Sequence, residues 1–408
     1  MANLPNEIME DILSRLPIKS LIRFRCVSKS WLSLTHNPYL IKLHFNRSSQ
    51  ENPSLILTTT IITTHFRTQL YLTDSQLISC NNIRFSQPNF DEFRIMGSCN
   101  GLLCLVHRLN SKSIFICNPC TGDLVKIPEF ITVFETKYLV NVVFGGFGFS
   151  PKTSQYKVVV ILYNREKLLN GDHIVKKISG AFVYNLGGGP WRYVGIPPLG
   201  ITGDSRLRAF LNGVLHWTIE SFFHTIICFD VADEVFQEIP SPAIGLKEGA
   251  HSLVVLSGFL AVIEFSAYNC IVVWIMMDHN VTDSWERGFI INFNGVGLNL
   301  RYIQVLCAQK DGEIIMLYNN HTLLSYNRHT MHFRRLSMAG LPSWFEAVSH
   351  VESLVSPLGC LRSNTKYDCK DALSFNDHTH KKSIHLGEKR CPPGDPNWLK
   401  TKYQTMDQ

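Results

Sequence analysis

"NGLLCLVHRLNSKSIFICN", residues 100–118, and "NGVLHWTIESFFHTIICFD", residues 212–230, are one pattern written twice. Each opens on Asn-Gly, the dipeptide that two-residue hairpin turns prefer because both positions need φ > 0. A short apolar run follows, then a polar stretch, then a second apolar run ending on Asn118 or Asp230. Both copies close at Ile-Pro, Ile127-Pro128 and Ile239-Pro240, so every mark recurs at an offset of 112 residues. Apolar runs this short, bounded by turn residues, are strands rather than helices.

Looser copies surround the pair. One runs from Gly148-Phe149 through Tyr156–Ile161 and Phe182–Asn185 to Trp191, and another from Ser257-Gly258 through Ile271–Met276 to Trp285. A third runs from Asp311-Gly312 through Ile314–Leu317 and Leu324–Asn327 to Phe333. Leu55-Ile56-Leu57 and Gln69–Leu72 are further short strands. The Gly marks at 101, 148, 213, 258 and 312 lie at about the spacing of kelch-type repeats. Strand, turn, strand, Asn/Asp turn, strand is how a four-stranded blade reads in one dimension, so the body from 55 to 358 is expected to be an all-β, kelch-like propeller.

The first 46 residues have a different period. Ile8, Ile12 and Leu16, widened by Met9 and Leu13, recur as one face of an amphipathic helix that Pro17 ends. Ile18, Leu21, Ile22 and Phe24 form a second set, and Val27, Trp31 and Leu34 a third, with Ser28 placed as its N-cap. Asn37-Pro38 opens a fourth short helix. The fold class is therefore α+β and multidomain. A helical unit spans 1–46, a polar connector 47–54, the propeller 55–358, and a tail expected to be disordered 359–408. The helical unit has more apolar residues than short helices can hide from one another, so part of that surface packs on the propeller or on another protein.

Charge is uninformative for the body. The formal excess of six comes from the two ends, while the remainder is balanced at 24 basic against 24 acidic residues. That gives no footprint for a phosphate backbone, and nucleic acid is not an expected partner. Met1–Asp11 lack a basic and then apolar leader pattern, and the apolar runs around 253–263 and 265–277 are too short for a membrane span. Twelve cysteines in a chain of this length are expected as buried thiols rather than a disulfide framework.

Candidate chemistry is sparse. Cys117-x-x-Cys120 invites a zinc or redox reading, but it ends a strand, the second copy keeps only Cys228, and no second pair stands at ligand spacing. Gly187-Gly188-Gly189-Pro190 lacks the Lys-Ser/Thr of a phosphate loop and is expected as a hairpin loop. His216 and Trp217 fall on a blade strand and belong to the core. No nucleophile elbow occurs, and Cys360, Cys369, His378, His380, His385 and Cys391 match no zinc spacing. Catalytic residues, metal and cofactor are all expected to be none. Polar, locally basic Asn164–Ile178 and Glu220–Thr225 are candidate binding loops between strands.

Two resemblances organise these readings. Leu4-Pro5, Glu7-Ile8, Ile12-Leu13, Arg15-Leu16-Pro17, Leu21, Phe24, Val27, Lys29-Ser30-Trp31 and Pro38 resemble an F-box. The body resembles the plant F-box-associated interaction domain. The resemblance is carried by Gly97–Leu102, Asn118-Pro119, Phe147–Pro151 with Tyr156–Val159, Asn212–Trp217, Ser284-Trp285 and Val351–Val355. The F-box resemblance implies docking on a Skp-family adaptor and, through it, on cullin. Leu4, Pro5, Ile8, Ile12, Leu13, Leu16, Pro17 and Leu21 are expected at the adaptor contact, and Phe24, Val27 and Trp31 in the module's own core. It further implies the non-catalytic substrate receptor of an SCF ubiquitin ligase, cytoplasmic or nuclear. Targets in the family include immune receptors, which favours defence regulation, and in pollen-expressed members stylar ribonucleases. A propeller enzyme and an F-box scaffold acting outside a ligase are the rival classes.

Overall fold

The computed structural model describes residues 5–62, 66–83, 85, 92–107, 113–129, 141–167, 174–198, 208–218, 225–242, 251–266, 268–279, 281–299 and 303–362. The chain opens with four helices, α1 (Asn6–Ser14), α2 (Ile18–Phe24), α3 (Lys29–Thr35) and α4 (Pro38–Ser48). Their limits are set locally. Pro5 and Pro17 stand at the N-caps of α1 and α2, where the missing N–H costs nothing. The Ser28 hydroxyl accepts from the Trp31 N–H at 3.2 Å, and Asn37 Oδ1 accepts from the Tyr39 N–H at 2.9 Å, each satisfying a donor that the helix leaves open. Helix α4 continues to Ser48, so the connector expected over 47–54 is shorter than the sequence suggested.

Six antiparallel four-stranded sheets follow. The first holds β1 (Ser54–Ile62), β2 (Phe66–Thr73) and β3 (Cys80–Ile83). The second holds β4 (Phe93–Cys99), β5 (Leu102–His107), β6 (Ile114–Cys117) and β7 (Leu124–Lys126). The third holds β8 (Asn141–Ser150), β9 (Gln155–Lys167), β10 (Ile174–Asn185) and β11 (Arg192–Gly195). The fourth holds β12 (Arg208–Leu211), β13 (Val214–Thr218), β14 (Thr225–Asp230) and β15 (Val235–Pro240). The fifth holds β16 (His251–Leu256), β17 (Phe259–Ser266), β18 (Cys270–Met276) and β19 (Trp285–Asn292). The sixth holds β20 (Ile303–Ala308), β21 (Ile314–Tyr318), β22 (Thr322–Asn327) and β23 (His332–Leu336). A last strand, β24 (Glu346–His350), crosses back to pair with β1, Ser54 facing His350, and so completes the first sheet.

These sheets are the blades of a propeller. Strands β24, β4, β8, β12, β16 and β20 neighbour one another in that cyclic order and form the inner ring. One apolar cluster fills each of the six junctions between blades. The alternation is visible in single strands: Leu55 and Leu57 pack toward the sixth blade, while Ile56 packs toward the second. Because both faces of a blade are buried, its middle strands read as unbroken apolar runs. The runs around 253–263 and 265–277 are therefore pieces of β16, β17 and β18.

Some turn marks land as expected and one does not. Asn100-Gly101, Asn212-Gly213 and Ser257-Gly258 each place two successive residues at positive φ between the first two strands of a blade. Gly148 is inside β8 instead, and the turn of that blade is 151–154. Its hydrogen side chain is needed because a Cβ there would stand 2.4 Å from the Phe210 ring of the next blade. The copies at 100 and 212 belong to the second and fourth blades, with a looser blade between them. The expected loop 164–178 is mostly the hairpin of β9 and β10, with 168–173 outside the described residues. Of Glu220–Thr225 only Thr225 is described, and it opens β14.

The tail boundary also moves. Helix α5 (Pro357–Arg362) continues past 359, and Cys360 in it is buried. The cysteines and histidines from 369 to 391 lie outside the described residues. No helix of the described residues is long and apolar enough to cross a membrane.

Candidate functional site

The start of β1 and the end of β24 lie side by side, so the helical module and α5 are attached to the same face of the ring. That face also carries the tight turns joining first to second and third to fourth strands. The module packs there through two clusters. Leu13, Ile18, Leu21 and Leu40 are buried around Leu354, which follows the last strand, with Cys120 of the β6–β7 turn alongside. Ile41 of α4 packs beside Val355, Cys360 and Leu361 in the junction between the second and third blades.

Polar contacts reinforce the seat. Asp11 holds Arg47 at 2.6 Å and Arg15 at 2.9 Å, tying α1 to the end of α4, and the two guanidinium groups hold its carboxyl below the usual range. Asn37 Nδ2 donates to Glu10 Oε1 at 2.5 Å. His44 donates from Nε2 to the Leu16 carbonyl at 3.1 Å, and burial lowers its pKa. The connector is pinned to the sixth blade, where the Lys310 N–H donates to Asn52 Oδ1 at 2.8 Å and its ammonium meets Glu51 at 3.1 Å.

With this packing in place, the residues expected at a partner contact divide. Ile8 and Ile12 are 47 % and 46 % exposed on α1, and Pro5 and Pro17 are exposed as well. Leu16 is half-buried. Leu13 and Leu21 are corrections: at 1 % and 0 % exposure their side chains are committed to the module's own core. Leu4 lies outside the described residues. Among the expected core residues, Phe24 and Trp31 meet edge to face with ring centroids 4.9 Å apart. Val27 is the second correction, being 64 % exposed in the turn between α2 and α3. Leu32 and Tyr39 are exposed too. The module thus buries one side on the propeller and leaves apolar side chains uncovered on α1 and α3.

Beneath the module, three distant strings of the sequence converge. Asn118 is fully buried, and its Nδ2 donates to the Ser353 and Val355 carbonyls at 2.8 and 2.7 Å. Its Oδ1 accepts from the Cys120 and Thr121 N–H groups at 2.8 and 3.3 Å. The Ser353 hydroxyl donates to the Asn100 carbonyl at 2.8 Å. Gly101, at φ +79°, has no room for a side chain, since a Cβ would stand 2.0 Å from Ser353 Oγ. Sequence reasoning quoted all three strings without seeing that they meet; the pairings span more than two hundred residues and leave no local trace.

A cleft of about 280 Å³ opens beside this knot, lined by Ile18, Lys19 and Ile22 of α2 and by Leu72, Cys120 and Glu352 of the ring face. Burial pushes the Glu352 carboxyl up, against the Ser54 hydroxyl that donates to it at 2.9 Å and the charge of Lys19. Burial also drives the Cys117 and Cys120 thiols far above their ordinary range, so neither is a thiolate at neutral pH. Among the described residues no three His, Cys, Asp or Glu side chains group as a metal site.

A small helical module with an uncovered apolar face, seated on the closing face of a six-bladed propeller, is a two-part binding protein. The comparisons with known proteins give that class its family. Residues 1–43 match the F-box domain and residues 48–378 match the F-box associated beta propeller domain, so this chain belongs to the F-box proteins with an associated β-propeller. The F-box protein At3g07870 of Arabidopsis thaliana is 31 % identical over 395 residues, covering 87 % of this chain and 92 % of that protein. From the same plant, the F-box/kelch-repeat protein At3g23880 is 27 % identical, covering 87 % and 96 %. The F-box protein CPR1 is 26 % identical, covering 90 % and 92 %. Among solved structures, an oligogalacturonate lyase in complex with manganese aligns at a TM-score of 0.39 and 11 % identity, over 66 % of this chain and 71 % of that one. A likeness that distant carries no argument about chemistry.

Proposed function

We propose that this chain is the target receptor of an SCF-type ubiquitin ligase. The F-box docks on a Skp-family adaptor, which links it to cullin, and the propeller holds a target protein. The observation that supports this reading most is the division of the F-box surface: Leu13, Leu21 and Leu40 are spent on the propeller side, while Ile8 and Ile12 stand exposed on α1. An amphipathic helix with such a face is suited to a groove on another protein. The receptor contributes proximity rather than a reactive group, since holding the target near the transferring enzyme makes the reaction effectively intramolecular. The setting is cytoplasm or nucleus, and defence regulation is the process we favour for it.

The test is co-purification of adaptor with the full chain and with the double variant Ile8→Ala, Ile12→Ala. Both side chains are half exposed, so the variant keeps its melting temperature and loses the adaptor. Equal recovery of adaptor from the two forms would sink the receptor reading.

A further inference from the structure

The geometry points to Asn118 and Ser353 as positioning residues that fix the F-box on the propeller, so that the two move as one arm. The consequence for ubiquitin transfer rests on the receptor reading above; the coupling itself does not.

The ring is already closed at His350, where β24 ends its ladder with β1. Residues 351–356 add no strand to any blade. Their side chains instead alternate between three destinations. Ser353 enters the polar knot under the F-box, Leu354 enters the F-box core, and Val355 enters the junction of the second and third blades. The polar half of the knot is saturated: the Asn118 amide donates twice and accepts twice, and the Ser353 hydroxyl both donates to Asn100 and accepts from the Val355 N–H at 3.3 Å. A fully satisfied buried network has one low-energy arrangement, whereas apolar contacts alone tolerate sliding. The knot therefore determines where Leu354 stands, and Leu354 determines the angle at which α1, α2 and α4 leave the ring. In a receptor, that angle sets the distance from adaptor to target, and effective concentration at a target lysine falls off when the span is no longer held.

The experiment measures the distance distribution between two spin labels introduced as non-natural amino acids at Ser30, exposed on α3, and at Tyr268, 84 % exposed on the propeller. It is run on the full chain, free and with adaptor. Asn118→Asp replaces the two amide donations with repulsion of both carbonyls and keeps the acceptor of the turn. Ser353→Ala removes only the hydroxyl bonds and is the milder variant. The wild type is expected to give one narrow distance. Asn118→Asp should at least double its width and Ser353→Ala should broaden it partially, while adaptor affinity stays within about twofold and the propeller melts as before. A distribution as narrow in the variants as in the wild type overturns the proposal, and if Asn118→Asp does not fold, Ser353→Ala alone decides. Adaptor binding is read on the same samples. A wild type that binds no adaptor refutes the receptor reading and leaves the distance result standing.

Discussion

Leu354 shows what a single side chain can join. It is 1 % exposed, it belongs in sequence to the end of the propeller, and it packs with the core of a module more than three hundred residues earlier. Leu354→Ala should cost about 2–5 kcal/mol, the usual range for a buried leucine. Hydrogen exchange should show the loss in α1 and α2 before the blades. A second residue-scale prediction concerns Glu234, which binds the Lys157 ammonium at 2.7 Å and Arg192 through both oxygens between the third and fourth blades. Its carboxyl is held below its ordinary value despite burial, by those two cations. Lys157 is almost wholly buried, so Glu234→Gln strands a charge and should destabilise by about 3 kcal/mol in chemical denaturation. The sequence located the helix faces but not their neighbours. Periodicity places Ile8, Ile12 and Leu13 on one stripe; it does not say that Leu13 turns toward Leu354 and that the two isoleucines are left outside.

Elements were more legible than residues, because their signals are local. Ser28 and Asn37 cap the helices that their sequence positions announce, and Asn-Gly marks three-dimensional hairpins wherever two positive φ values are required. Gly148 misled for a physical reason: glycine also serves where two blades approach closely, and composition does not separate that use from a turn. The Ile-Pro and Trp marks have a role that only the structure reveals. Trp191 Nε1, beside β11, donates to the Pro128 carbonyl at 2.8 Å, and Trp285 Nε1, on β19, donates to the Pro240 carbonyl at 3.2 Å. Each indole thus ties the outer strand of one blade to the end of the blade before it. Trp285→Phe keeps the ring and removes the donor, and should cost about 1 kcal/mol by urea unfolding, the net worth of one hydrogen bond.

At the scale of the molecule, closure depends on a strand supplied by the far end of the chain. The inner ring is sealed by β24, whose His350 is buried with its Nδ1 3.0 Å from the Ser98 hydroxyl of the next inner strand. Burial holds that imidazole neutral, with its pKa pulled down to about 3. An unfolded histidine takes up its proton near pH ~6.5, so the stabilisation is complete above that value and is lost as pH falls toward the folded value. Melting curves from pH 7.5 to 4.5 should fall more steeply for the wild type than for His350→Gln; parallel curves would remove His350 from the account of acid sensitivity. None of this was readable from sequence. A blade count needs the pairing of β1 with β24, and that pairing joins residues almost three hundred positions apart.

The same arrangement has a consequence for how the protein is made. A growing chain emits the F-box first, yet Leu354, which completes the F-box core, and β24, which seals the ring, leave the ribosome only near the end of synthesis. An interrupted message therefore yields neither a sealed ring nor a finished docking module. Because both defects have one cause, a truncated product lacks the seat that a full-length receptor offers its adaptor, and prematurely stopped copies do not compete for it.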